Sequence, residues 1–211
     1  MSLDTYDGLK EEIAAWLVEA GVADFEARVP TFIRMFEVRA NRKLRHRSMV
    51  KRATALVEDQ FVPLPVGWLE AINVQVNAQD PQPLEYKAMD FLDEIRGATS
   101  SGQLRYYTIV ANTIELVPTP VGTTEIEMVY YEKIPSLSAS NQTNWLLAEA
   151  PDVYLFGSLM NAELYGVNDE RVTTWATAMS EAMDALTSSS TTATHSGSGL
   201  IARPRRALGV K

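Results

Sequence analysis

Few residues in this chain combine the types and spacing that chemistry needs. Asp90, Asp93 and Glu94 fall within about one helical turn of each other, and carboxylates so placed could bind a cation or exchange protons. The simpler reading is the solvated acidic face of a helix. Only two histidines are present, His46 inside an arginine cluster and His195 in a Ser/Thr tract. Neither has a second His, Asp or Glu at ligand or triad spacing. Cysteine is absent, which removes thiolate ligands, disulfides and cysteine nucleophiles and fits a reducing compartment. No glycine-rich phosphate loop occurs, and Gly197-Ser198-Gly199 reads as linker. The expectation is a protein that is not an enzyme, with no catalytic residue, no metal and no cofactor.

Charge is the stronger signal. Residues 1–52 carry a net +2, residues 53–202 a net −14 and residues 203–211 a net +4, within an overall −8 over 211 residues. A strongly acidic body with basic ends calls for two surfaces and two partners. The first basic surface is Arg39, Arg42, Lys43, Arg45 and Arg47, continued by Lys51 and Arg52. It suits an acidic surface on a neighbouring subunit or another partner. It also suits phosphates, which Lys and Arg neutralise without reading sequence, so a nucleic-acid-binding accessory protein using residues 39–52 is the alternative. The second basic surface is the C-terminal stretch. Leu200, Ile201 and Leu208 alternate there with Arg203, Arg205, Arg206 and Lys211, the pattern of a tethered segment that orders on a partner.

These surfaces need elements to carry them. Leu9, Ile13, Leu17 and Ala20 keep the spacing of one helical face, ending at Gly21. Pro30 suits the first turn of a second helix, whose apolar side is Ile33, Phe36, Ala40 and Leu44 and whose other side carries the cations. From about residue 51 the period becomes two, predicting strands around 53–57, 61–64, 72–76, 104–110, 114–117 and 126–131, with one short helix at Met89, Leu92 and Ile95. Asp80-Pro81-Gln82-Pro83 reads as loop and Asn112 as a turn. A helix starting near Pro151 is apolar on most sides. The next has Asn168 as cap, Asp169 and Glu170 in its first turn, and Val167 with Val172 as a hydrophobic staple. Thr187 to Gly199 is almost all Ser, Thr, Ala and Gly, which predicts a flexible tether. No apolar run reaches the roughly 18–20 residues a membrane helix needs, and the polar start Met1-Ser2-Leu3-Asp4 is expected not to act as a signal peptide.

Two blocks carry a resemblance. The first is Trp16-Leu17, Pro30, Phe32-Ile33, then Glu37, Arg39, Asn41-Arg42 and Leu44-Arg45. The second is Tyr131, Lys133-Ile134-Pro135, Leu137-Ser138, Thr143-Asn144-Trp145-Leu146-Leu147, Pro151-Asp152, Tyr154-Leu155, Gly157, Ala162-Glu163, Tyr165, Asp169-Glu170-Arg171 and Trp175. In these the chain resembles the head–tail adaptor, or connector, proteins of tailed phages and phage-like particles. The resemblance implies an α+β fold: a helical bundle formed by the N- and C-terminal helices (1–50 and 134–187), a small antiparallel β-rich insertion (51–133) and a flexible C-terminal extension (188–211). It implies a homo-oligomeric ring of about twelve copies that joins the portal protein to tail components such as tail tube, stopper or nozzle, and lets DNA pass without sequence preference. The tail residues Leu200, Ile201, Arg203, Arg205, Arg206, Leu208 and Lys211 would dock on the portal. Arg39, Arg42, Lys43, Arg45 and Arg47 would meet the portal or a neighbouring subunit. The expected place is the virion neck below the portal, with the bacterial host cytoplasm during assembly and no membrane partner.

Overall fold

A computed structural model describes residues 3–18, 26–98, 101–166 and 169–195. Among them are six α-helices: α1 (Tyr6–Val18), α2 (Val29–Lys43), α3 (Met89–Ala98), α4 (Trp145–Glu149), α5 (Pro151–Gly166) and α6 (Asp169–His195). Eight strands form two sheets. They are β1 (Val50–Val57), β2 (Phe61–Pro63), β3 (Trp68–Val76), β4 (Gln82–Pro83), β5 (Glu85–Tyr86), β6 (Tyr106–Val110), β7 (Thr113–Val117) and β8 (Thr124–Glu132). The chain divides into two compact units, Met1–Phe36 with Leu147–Lys211, and Glu37–Leu146.

The first unit is helical. α1 buries Leu9, Ile13 and Leu17 at the spacing the sequence predicts. α5 packs against both α1 and α6, which explains why it is apolar all round: Val153, Tyr154, Leu155, Leu159, Met160 and Ala162 are all buried. Each fully buried large apolar side chain contributes roughly 1.5–3 kcal/mol. Phe36 meets Tyr154 edge-on at 4.9 Å between ring centroids. The Asn161 amide donates to the Phe32 carbonyl at 3.1 Å, a hydrogen bond that ties α5 to α2. Phe36 lies so close to α5 that a Cβ at Gly157 would overlap its ring.

The second unit is built on sheets with strand orders β1-β8-β3-β4 and β2-β7-β6-β5. They share one core of Val57, Val74, Leu84, Leu104, Tyr107, Ile114, Leu116, Ile126, Met128 and Tyr130. β8 supplies Ile126, Met128 and Tyr130 at alternate positions, the period of two that marks a strand with one buried face. Ala111 and Asn112 separate β6 from β7, with Ala111 at φ 54°.

The helical bundle framed by terminal helices is not what forms. The architecture is mixed α+β, with two four-stranded sheets and, among the described residues, six helices. Three facts overturn the expectation. The sheets carry a core of their own, so they are not a small insertion. One pairing, β5 with β6, is parallel. Only α2 up to Phe36 belongs with the helical unit, because from Glu37 onward its side chains are hydrogen-bonded to the segment after β8. The Ser/Thr tract expected as a tether is part of α6 up to His195. Hydroxyls of Thr187, Thr191 and Thr192 donate to the Met183, Thr187 and Ser188 carbonyls at 2.9, 3.1 and 3.0 Å. Extending an existing helix needs no new nucleus, and this back-bonding satisfies side chains that composition alone counts as helix-averse. Residues 196–211, Gly21, Val167 and Asn168 lie outside the described residues. Among those described, no helix is long and apolar enough to cross a membrane.

Gly157→Ala tests the tightest helix contact. Alanine's better helix propensity is worth about 1 kcal/mol, but overpacking costs about 1–3 kcal/mol, so a net loss of thermal stability is expected in a melting experiment. The sheets have a separate signature. Burial, then neighbouring Tyr86, pushes the Tyr107 phenol above its ordinary 10.0. Burial, then Glu132, raises Tyr130. The folded state therefore keeps these protons longer than the unfolded chain, so their contribution is complete below a pH of about 10 and is lost as pH rises further. Alkaline melts should show that loss, and Tyr107→Phe should flatten it.

Candidate functional site

The basic surface predicted at residues 39–52 forms at the C-terminal end of α2 and continues into β1. Arg42 and Lys43 sit in the last turn of α2, where cations favour the negative end of the helix dipole, and both are exposed. Arg39 is half-buried and Arg47 is exposed in the short 3-10 turn Arg47–Met49. Arg45 faces inward. Its Nε donates to Glu70 Oε2 at 2.7 Å, and its Nη1 donates to the Asn41 and Leu44 carbonyls at 3.1 and 2.7 Å. Its guanidinium also lies 5.7 Å from the centre of the Tyr131 ring. Arg45 thus caps α2 and ties it to β3. Lys51 and Arg52 lie 4.0 and 3.6 Å from Glu132 and Glu127 on the neighbouring strand β8. The sequence cluster is therefore divided: Arg45, Lys51 and Arg52 meet acids of their own unit, while Arg42, Lys43 and Arg47 are exposed at the end of α2 and the turn after it.

Beneath this surface the two resemblance blocks come together. Glu37 is buried, and its Oε1 accepts from the Leu137 amide at 2.7 Å. Asn41, one turn later, accepts from the Ile134 amide at 2.8 Å and donates to the Glu37 carbonyl at 3.0 Å. The Asn144 amide donates to the Pro135 carbonyl at 2.7 Å, and that of Asn141 to the Ser136 carbonyl at 2.8 Å. Trp145 stacks on His46 with centroids 4.9 Å apart and the rings nearly parallel. His46 Nδ1 accepts from the Ser48 amide at 3.2 Å. His46 is thus 98% buried structure, not a ligand offered to solvent. In the stretch 133–144 the Lys133 amide donates to the Gly67 carbonyl and Ser138 and Asn141 bond each other's backbone, while side chains of α2 accept from the Ile134 and Leu137 amides.

The family model of the SU10 adaptor protein matches residues 4–203. The chain belongs to the SU10 adaptor protein family. No curated protein matches it. Membership makes this a phage adaptor, a structural component of the virion neck that works in contact with other structural proteins of the particle. Glu37, Asn41, Ile134, Pro135, Leu137, Asn144 and Trp145, all among the residues that carried the resemblance, belong to the network just described.

The remaining predicted residues are placed as follows. Asp90, Asp93 and Glu94 are exposed on α3, and Asp93 pairs with Arg96 at 3.0 Å. Among the described residues, no group of three His, Asp or Glu side chains could hold a metal ion. Leu200, Ile201, Arg203, Arg205, Arg206, Leu208 and Lys211 lie outside the described residues. Two buried carboxylates were not anticipated. Glu163 on α5 faces Arg171 at 3.5 Å. Glu115 on β7 is 99% buried and accepts from Gln60 and Arg96. A lone acid in the apolar run Thr113-Ile114-Glu115-Leu116-Val117 was the available signal.

The weight of the network can be measured at Glu37. Glu37→Ala leaves the buried Leu137 amide without its acceptor, at a cost of about 1–3 kcal/mol. Glu37→Gln keeps a carbonyl oxygen in place and should lose less. Denaturant titration of both variants gives the comparison.

Proposed function

We propose that this adaptor acts as a ring of identical copies, about twelve, that joins the portal to the tail and lets DNA through its channel. It works by binding, without catalysis. Membership of the SU10 adaptor family over residues 4–203 is the observation that carries this reading. Three features support the details. The outward Arg42 and Lys43 offer each copy a cationic contact for a neighbour or for the portal. The acidic body, net −14 over residues 53–202, suits a channel that must not hold passing DNA. The segment 196–211 combines four cations with Leu200, Ile201, Leu208 and Val210, a composition fitted to docking on the portal after synthesis in the host cytoplasm. Multivalency then lets individually weak contacts hold together. The alternative, a nucleic-acid accessory role for residues 39–52, loses support because Arg45, Lys51 and Arg52 already meet acids of the same unit.

The docking segment is tested by truncation. The cut belongs after His195, because α6 runs to that residue and Ser190 within it is buried. A chain ending at His195 should melt as the full chain does yet fail to pull down purified portal. Undiminished capture would remove the tail from the portal contact.

A further inference from the structure

One face of the second unit carries apolar surface that its own fold does not use. Phe61 on β2, Met89 at the start of α3 and Val110 at the end of β6 are 58%, 47% and 43% exposed. Together with Thr113 and Glu115 they line a recess of about 290 Å³. An open recess of that size admits an inserted side chain. Acids outnumber cations around it, with Arg96 paired to both Asp93 and Glu115. The exposed acids Asp90, Asp93 and Glu94 follow Met89 on α3, and the buried Glu115 carboxylate lies in the lining. Glu115 Oε1 takes both Gln60 and Arg96, while Oε2 is buried with no hydrogen-bond partner among the described residues. Buried polar atoms are nearly always paired. The recess therefore fits a side chain with an apolar stem and a cationic end.

The chain displays such a side chain. On α2, Met35 and Val38 are 51% and 40% exposed, and Arg42 follows Val38 one turn later on the same face. An arginine stem covers apolar surface while its planar guanidinium meets carboxylates. We propose that Arg42 of one copy enters the recess of the next, with Val38 against the rim of Phe61, Met89 and Val110. Two different patches then meet, a head-to-tail contact that propagates from copy to copy and closes into a ring when the rotation allows. The inference rests on the ring reading above and names the surfaces that would build it.

The absence of cysteine permits a direct test. Arg42→Cys and Val110→Cys chains, prepared separately, are mixed, assembled on purified portal and treated with a short bismaleimide whose reach matches an arginine stem. Native mass spectrometry of the same samples counts the copies. The mixed sample should give covalently linked dimers, and neither variant alone should. Leu56→Cys, 72% exposed on β1, mixed with Arg42→Cys should give none. A ring of full occupancy without Arg42–Val110 dimers overturns this contact and leaves the ring standing. Failure of the unmodified chain to form a ring on the portal overturns the ring reading and the contact with it.

Discussion

The carboxylate of Glu37 accepts the Leu137 amide across one hundred positions of sequence. A buried charge is tolerated only where hydrogen bonds hold it, and an extended segment is buried only where its amides find acceptors. Each of these two liabilities resolves the other. Asn41 repeats the arrangement one turn later with the Ile134 amide. The chain leaving β8 is thereby fixed along the second half of α2, and the His46–Trp145 stack follows from the same registration. Loss of that pairing would leave the Ile134 and Leu137 amides without their acceptors.

This constraint also sorts the charges. Arg45 is drawn inward to cap the helix whose asparagine holds Ile134, and it meets Glu70 and Tyr131 there. Lys51 and Arg52 fall beside the acids of β8. Exposed ion pairs of this kind contribute little to stability, around 0–1 kcal/mol. Their consequence is for recognition: a cation already beside an acid is a poorer anchor for a partner. Arg42, Lys43, Arg47, Lys51 and Arg52 are all exposed, and of these Lys51 and Arg52 already stand beside an acid. On the opposite side of the ledger, Glu115 keeps one oxygen unpaired beside an apolar recess. An adaptor whose partners include copies of itself needs donor and acceptor surfaces of this unequal kind.

The helix α6 illustrates a different balance. Its first half is held by Met179 and Met183, both buried. In its second half, from Thr187 to His195, hydroxyl groups return to carbonyls of the preceding turn and Ser190 is buried. A segment with so little apolar burial persists because the helix before it is already formed. Any docking function of the C-terminus therefore begins from the end of a helix, not from a tether that starts at Thr187.

The sequence by itself determined what local periodicity can encode. The faces of α1 and α2, the start of α5 at Pro151, the alternation of β8 and the turn at Asn112 were all legible, because side-chain spacing reports which face is buried. The family was legible too, in the residues from Glu37 to Arg45 and from Tyr131 to Trp175. Only the tertiary structure decided the rest. Whether the β region is a small insertion or a double-sheet unit depends on which residues share a core, and Val57 gives no sign in sequence that it packs with Ile114. Whether α2 belongs to one unit depends on where the Ile134 and Leu137 amides find acceptors. Which of the clustered arginines face outward depends on acids far away in sequence, Glu70, Glu127 and Glu132. Long-range pairing of buried polar groups leaves no periodic trace, so the chain could announce its elements and its family but not how its charges are spent.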